Sequence, residues 1–212
     1  MKIVGRILVL CVAAFALSLV LGRFVPVVST LMLGRWVTFQ PVTRDWVPLS
    51  AISPTLARAV IASEDQRFCS HWGVDFVELQ AVLEDEDGPG RGASTITMQV
   101  AKNIYLWPGR SYIRKGLEIP LALLIDLAWG KTRVMEVYLN VAEWGDGLFG
   151  AEAAAQHYFR KSALSLTARE AARLASVLPN PILRDAARAS AASRRVLERM
   201  GGVGGLTDCV AG

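Results

Sequence analysis

The sequence predicts an all-α protein with one N-terminal transmembrane helix. Three observations carry this reading. The run Ile7 to Gly22 holds no charge. From Ser53 onward, apolar residues recur at helical spacing behind Ser, Thr and Asp caps. No alternating strand pattern of useful length and no internal repeat occurs. A chain of 212 residues fits one ordinary domain plus an anchor or tail. With 52% hydrophobic and 20% charged residues it can build a core, which excludes disorder for most of its length. The net charge of +4, from 23 basic and 19 acidic residues, suits an anionic lipid surface or a phosphorylated substrate. Neither a basic run nor a nucleic-acid motif is present, so nucleic acid is not an expected partner.

The anchor comes first. At about 1.5 Å per residue, Ile7 to Gly22 spans a little less than the roughly 30 Å of bilayer hydrocarbon. Ile3 and Phe24 extend it, and Arg6 and Arg23 can snorkel to the two interfaces. A cleaved signal peptide is the competing reading. Its small-x-small cleavage site is missing near the end of the run, which favours a retained anchor. Lys2 and Arg6 place the N-terminus in the cytoplasm and the remaining chain outside. The next stretch, Val25 to Leu33, is again apolar but contains Pro26, which argues against a helix interior. It reads either as a segment lying at the membrane surface or as a linker packed on the domain.

Ser53 followed by Pro54 is an N-cap with proline at the first helical position, ahead of Leu56, Ala59, Val60 and Ala62. A second helix is expected over Asp75 to Glu84. The acidic, glycine-rich stretch Glu84 to Gly92 reads as an exposed loop. Further helices are expected over Thr95–Leu106, Ser111–Trp129, Lys131–Leu139, Ala151–Phe159 and Ala168–Leu178, the last opened by a Thr167–Glu170 capping box. A weaker one is expected over Asp185–Met200. Gly201 to Gly212 reads as a flexible tail. Of the three cysteines, Cys11 lies in the apolar run. Cys69 and Cys209 can formally pair, though nothing local favours it. With two histidines and no metal-ligand spacing, a zinc site is not expected.

Three segments carry candidate chemistry. In the first, Glu64 and Asp65 sit at a helix end behind an apolar run. A buried edge and a like-charged neighbour both raise a carboxyl pKa and suit it to general-base work; a solvated helix terminus is the plainer reading. In the second, Gly92 to Gln99 opens a helix with small and hydroxyl residues, which suits phosphate binding at free N–H groups. Gln99 and Lys102 share one face of that helix; an ordinary Ser/Thr cap would look the same. In the third, Arg114, Lys115 and Glu118 fall within one turn. That pattern alone is a surface ion pair, but Pro120 predicts a kink beside Glu118.

Taken together, these segments resemble the peptidoglycan glycosyltransferase family, specifically its monofunctional biosynthetic members. The resemblance runs in order from about Trp46 to Pro181. It covers Glu64 to Phe68 with His71-Trp72-Gly73; Gly92 to Gln99 with Ala101-Lys102-Asn103; Arg114-Lys115 with Glu118; Tyr138-Leu139-Asn140; and Gly147 to Phe159 with Leu178 to Pro181. Met98 stands where the family often has a second glutamine. The resemblance implies a lysozyme-like helical fold with a small membrane-associated lobe. It implies Glu64 as general base and Glu118 as the second carboxylate near the leaving group. Asp65, Ser94, Thr95, Gln99, Lys102, Arg114 and Lys115 match positions that hold the lipid diphosphate and nearby sugar. Glu118 is also the place for a divalent cation, Mg or Mn, if one is used. Expected partners are lipid II, the growing lipid-linked strand, the membrane, and other cell-wall synthesis or division proteins. No penicillin-binding domain is expected, since no Ser-x-x-Lys motif follows. The expected organisation is residues 1–24 as cytoplasmic N-terminus and anchor, 25–45 as a membrane-proximal segment, 46–200 as the catalytic domain and 201–212 as the tail. Two rivals are a peptidoglycan-cleaving lysozyme-like enzyme and a non-catalytic membrane scaffold. The basic cluster disfavours the first and the paired carboxylates disfavour the second.

Overall fold

A computed structural model describes residues 2–84, 93–109, 111–203 and 207–210. The acidic stretch 85–92 that was expected to form an exposed loop lies outside the described residues, Gly92 included.

Helix α1, Lys2–Gly22, is long and apolar enough to cross a membrane. Its far end is not detached. The indole of Trp129 donates to the Leu19 carbonyl at 2.7 Å, Arg133 donates to the Gly22 carbonyl, and Phe15 meets Tyr105 edge-on. The last turn of α1 therefore has its free carbonyls satisfied by the domain. Helix α2, Thr30–Val37, was not anticipated. Ser29 caps it three residues after Pro26, so the proline ends the preceding segment without preventing a new helix. Met32 is fully buried, while Leu33, Trp36 and Val37 are exposed. Val25–Leu33 thus packs on the domain at its inner side and turns an apolar outer side to the surroundings.

The helical body follows the expected caps closely. It comprises α3, Pro54–Glu64; α4, Phe76–Leu83; α5, Ile96–Tyr105; α6, Tyr112–Val141; α7, Ala151–Phe159; α8, Ala168–Ala175; and α9, Ala191–Met200. Ser53, Asp75, Thr95, Ser111, Thr167 and Ser190 each accept a backbone N–H as N-caps, and Thr167 with Glu170 closes the expected capping box. Within α6 the break falls at Gly130, whose φ of 73° lies in the left-handed region that glycine enters without penalty. This is where the two expected helices part. Pro120 sits inside the helix with helical backbone angles, so the predicted kink does not take a non-helical form there. The carbonyl that a proline crowds belongs to the residue four back, Gly116, which has no side chain and where an added Cβ would meet nothing within 4 Å outside the helix backbone.

A small sheet was missed. Strands β1, Thr43–Arg44, β2, Glu143–Gly145, and β3, Leu148–Phe149, form the order β1-β3-β2, with β1 parallel and β2 antiparallel to β3. Strands of two or three residues carry no readable alternation. The core gathers Leu56, Ile61, Phe68, Ile96, Met98, Ile125, Met135, Tyr138, Leu139, Trp144 and Phe149, with α5 lying along α6. The C-terminal stretch also departs from expectation. Val203 and Thr207 are buried, and Cys209 is disulfide-bonded to Cys69, with 5.6 Å between their Cα atoms. The described part of the tail is thereby held against the turn that follows α3.

Candidate active site

Helix α3 delivers the first carboxylate. Its inner face, Leu56, Ala59, Val60, Ile61 and Ala62, is buried, so the helix is fixed up to its last residue, Glu64. Glu64 stands at the edge of that face. Its Oε1 accepts from the Ser63 hydroxyl at 3.0 Å and its Oε2 from the Gln99 amide at 3.0 Å. Burial pushes its pKa up, against the opposing pull of Gln99, Ser63, Arg184 and Lys102. This is the arrangement a general base requires: charge disfavoured by the surroundings, but not abolished.

Asp65 goes elsewhere. It is the C-cap of α3, with φ of −160°, and the chain turns away at this point. Its side chain is buried, its two oxygens lying 3.0 and 3.1 Å from His71 Nε2. Oδ2 also accepts the backbone N–H of Ile96 at 3.0 Å. Asp65 was expected among the substrate-binding residues; in the structure its oxygens face His71 and the Ile96 N–H, which ties α5 to the end of α3. Thr95 is similarly engaged. Its hydroxyl accepts the Met98 N–H and donates to the Gly73 carbonyl at 2.6 Å. Gly73 has φ of 80°, and a Cβ there would stand 2.5 Å from the Ala122 carbonyl, so the turn, α5 and α6 meet at a point only glycine can occupy. Both the Thr95 and Asp65 side chains thus tie together the elements that carry the site.

Helix α5 presents Gln99 and Lys102 on the face toward Glu64, as their spacing predicts. Gln99 is held at both ends: it donates to Glu64 and accepts from the Tyr138 hydroxyl at 3.1 Å. Lys102 lies in the fields of both carboxylates. Desolvation lowers its pKa, Glu118 and Glu64 raise it, and the cations Arg114 and Lys115 lower it.

The second carboxylate comes from the first half of α6. Glu118 is 2% exposed. Arg114, one turn earlier, donates to Oε1, and Lys115 donates to Oε2 at 3.0 Å. Lys115 also reaches Ser94 Oγ at 3.0 Å, which joins α6 to the segment ahead of α5. Ser94, Arg114, Lys115 and Glu118 are thus joined by direct hydrogen bonds, and Lys102 lies in the fields of both Glu118 and Glu64. The result gathers a half-buried carboxylate of raised pKa, a second, buried carboxylate and three cations. It suits transfer of a group from an anionic leaving group to a neutral hydroxyl.

The residues around Glu118 do not fit a divalent cation held by the protein. Both of its oxygens are engaged by cations, and no cluster of three His, Cys, Asp or Glu side chains occurs among the described residues. Three participants escaped a sequence assignment. Ser63 is adjacent to Glu64 and could have been named from that alone. Tyr138 lies 39 residues from Gln99, and Arg184, in the α8–α9 connection, acts on Glu64 through its charge. Neither contact leaves a local signal.

The chain is similar to known proteins over most of its length. A family model described as transglycosylase matches residues 32–201. A Brucella suis protein named biosynthetic peptidoglycan transglycosylase is 54% identical over 181 residues, covering 84% of this chain and 81% of the relative. Proteins of the same name from Rhodopseudomonas palustris (strain HaA2) and Agrobacterium fabrum are 53% and 52% identical. They cover 90% and 88% of this chain, and 85% of each relative.

Proposed function

Since the chain belongs to the transglycosylase family, we propose that it polymerises peptidoglycan glycan strands, with Glu64 as the general base. The donor is a strand α-linked through diphosphate to a polyprenyl lipid, and the acceptor is lipid II. The acceptor 4-hydroxyl gives its proton to Glu64 while its oxygen bonds to the donor anomeric carbon. The bond from that carbon to the diphosphate breaks, and the lipid diphosphate departs. The product is a β-1,4 link, and inversion fits a single displacement, as in inverting glycosidases with a sugar hydroxyl in place of water.

The labour divides on physical grounds. An alcohol is a weak nucleophile and needs a base. Diphosphate is already a good leaving group, so stabilising its charge matters more than protonating it. Lys102, Arg114 and Lys115 supply that charge, and Ser94 lies among them. Glu118 holds Arg114 and Lys115 in place. What carries the reading is the pairing of Glu64, held through Oε2 by Gln99 at 3.0 Å, with a second carboxylate, Glu118, on which Arg114 and Lys115 converge. Lys102 lies within the fields of both acids, so positive charge is gathered where a diphosphate departing beside a deprotonated hydroxyl requires it.

Location follows the same logic. Lys2–Gly22 serves as the membrane anchor, with Lys2 and Arg6 on the cytoplasmic side and the catalytic domain on the periplasmic side of the inner membrane. The Cys69–Cys209 disulfide supports an oxidising compartment for the domain. Exposed Leu33, Trp36, Val37 and Phe39 near α2, with Ile113, Leu124 and Leu127 on α6, supply the apolar surface of a membrane-associated lobe. The deciding experiment follows labelled lipid II into polymer on a product gel. Wild-type protein is expected to polymerise it and Glu64→Gln to make no strand while staying folded. Near-normal turnover by that variant would remove Glu64 from the mechanism.

A further inference from the structure

Gln99 faces two polar partners. Its amide has two nearly isosteric ends, and the pocket would accept it either way round. With the NH2 toward Glu64, the carboxylate gains a donor. With the carbonyl toward Glu64, two acceptors oppose each other and the ionised base is disfavoured. Some other group must decide between these states.

We propose that Tyr138 is that group, a positioning residue whose hydroxyl donates to Gln99 Oε1 and so keeps the amide NH2 on the general base. The proposal rests on the reading of Glu64 as base. Tyr138 is 1% exposed, and its side chain reaches the site from the second half of α6. Its hydroxyl lies 3.1 Å from Gln99 Oε1, and Gln99 Nε2 lies 3.0 Å from Glu64 Oε2. Gln99 is the hydrogen-bond partner of this hydroxyl among the described residues. Turning the amide round would leave the buried phenolic proton without an acceptor, which is costly. The phenol therefore selects the amide orientation that the ionised base needs. Burial, with the nearby Glu64 and Asp65 charges, holds the Tyr138 pKa well above the usual tyrosine range, so it stays a donor throughout the working pH range.

The groups that face Glu64 limit the alternatives. Ser63 donates from its own helix, Gln99 and Lys102 approach from α5, and Arg184 acts from the α8–α9 connection. Removing the Tyr138 hydroxyl leaves all of these in place and takes away only the orienting bond. The acid side of the pH–rate profile, which reports ionisation of the base, must then move to higher pH.

The test measures lipid II polymerisation by the full-length protein in detergent across pH. Wild type and Glu64→Gln come first; if wild type makes no strand, or Glu64→Gln still does, it is the reading of the base that fails. Given an active wild type and an inactive Glu64→Gln, Tyr138→Phe should move the acid limb up by about one pH unit, with about tenfold lower turnover on that limb and little change in apparent KM. In a Gln99→Leu background the same tyrosine change should add no further shift, because the two act through one chain. A Tyr138→Phe limb that stays in place with only a lower melting temperature overturns the proposal, as does an equal shift in both backgrounds. If Tyr138→Phe does not fold, NMR of the wild-type side-chain amides decides. The Gln99 NH2 signals, assigned by their loss in Gln99→Leu, should follow the titration of Glu64. Signals that ignore that titration overturn the assignment.

Discussion

Asp65 Oδ2 accepts the Ile96 backbone N–H at 3.0 Å, tying the residue after the proposed general base to the first turn of the helix that carries Gln99 and Lys102. The two adjacent acids therefore face different partners, Glu64 meeting Ser63 and Gln99 and Asp65 meeting His71 and the start of α5. Asp65→Ala leaves a buried N–H and His71 without their acceptor. A loss of about 2–3 kcal/mol is expected, read by urea unfolding. Activity should fall with folded fraction, while the apparent KM of the remaining active enzyme changes little. A raised KM with unaltered stability would return Asp65 to direct substrate contact.

The pH–rate profile should be bell-shaped. Burial raises the Glu64 pKa, so its ionisation, and with it the rate, rises at a pH above the usual carboxylate range. Desolvation lowers the Lys102 pKa, so the alkaline limb should fall below the usual lysine range. The stability sign for Glu64 is opposite to that of a salt-bridged acid. Its folded pKa exceeds its unfolded one, so the stabilisation is present below the unfolded value and is lost as pH rises through the folded value. Glu64→Gln should therefore be inactive without being less stable at neutral pH, as calorimetry can show. A marked drop in melting temperature would contradict this.

Lys102→Met removes the cation shared by the two carboxylates while keeping the length of the side chain. A charge-assisted bond to diphosphate is worth about 1.5–3 kcal/mol, so kcat/KM should fall about 10- to 100-fold. Glu118→Gln should also lower activity, by freeing Arg114 and Lys115 from a fixed arrangement. Unchanged kinetics in Lys102→Met would separate this lysine from the leaving group.

The Cys69–Cys209 disulfide closes a sequence separation of 140 residues. A cross-link over so long a loop contributes about 2–5 kcal/mol, largely by restricting the unfolded chain. Cys209→Ser, or reduction of the wild type, should lower the melting temperature and expose the C-terminal stretch to protease. Equal thermal stability with and without reductant would show that the pair contributes nothing to the fold.

Much of this protein could be read from the chain alone. The anchor follows from composition over twenty residues. The helix starts follow from caps such as Ser53, Thr95 and Thr167, which act on N–H groups two or three positions away. The α6 break at Gly130 follows from a residue that enters positive φ freely. Helical spacing put Gln99 beside Lys102 and Arg114 beside Glu118. Tertiary packing alone decided that Asp65 turns inward while Glu64 does not, that Tyr138 reaches Gln99, that Cys209 finds Cys69, and that strands two or three residues long pair at all. The reason is range. Caps, spacing and backbone preference are settled by neighbours within about one turn, whereas the Asp65–Ile96, Gln99–Tyr138 and Cys69–Cys209 contacts join residues 31 to 140 positions apart and exist only once the core has brought their elements together.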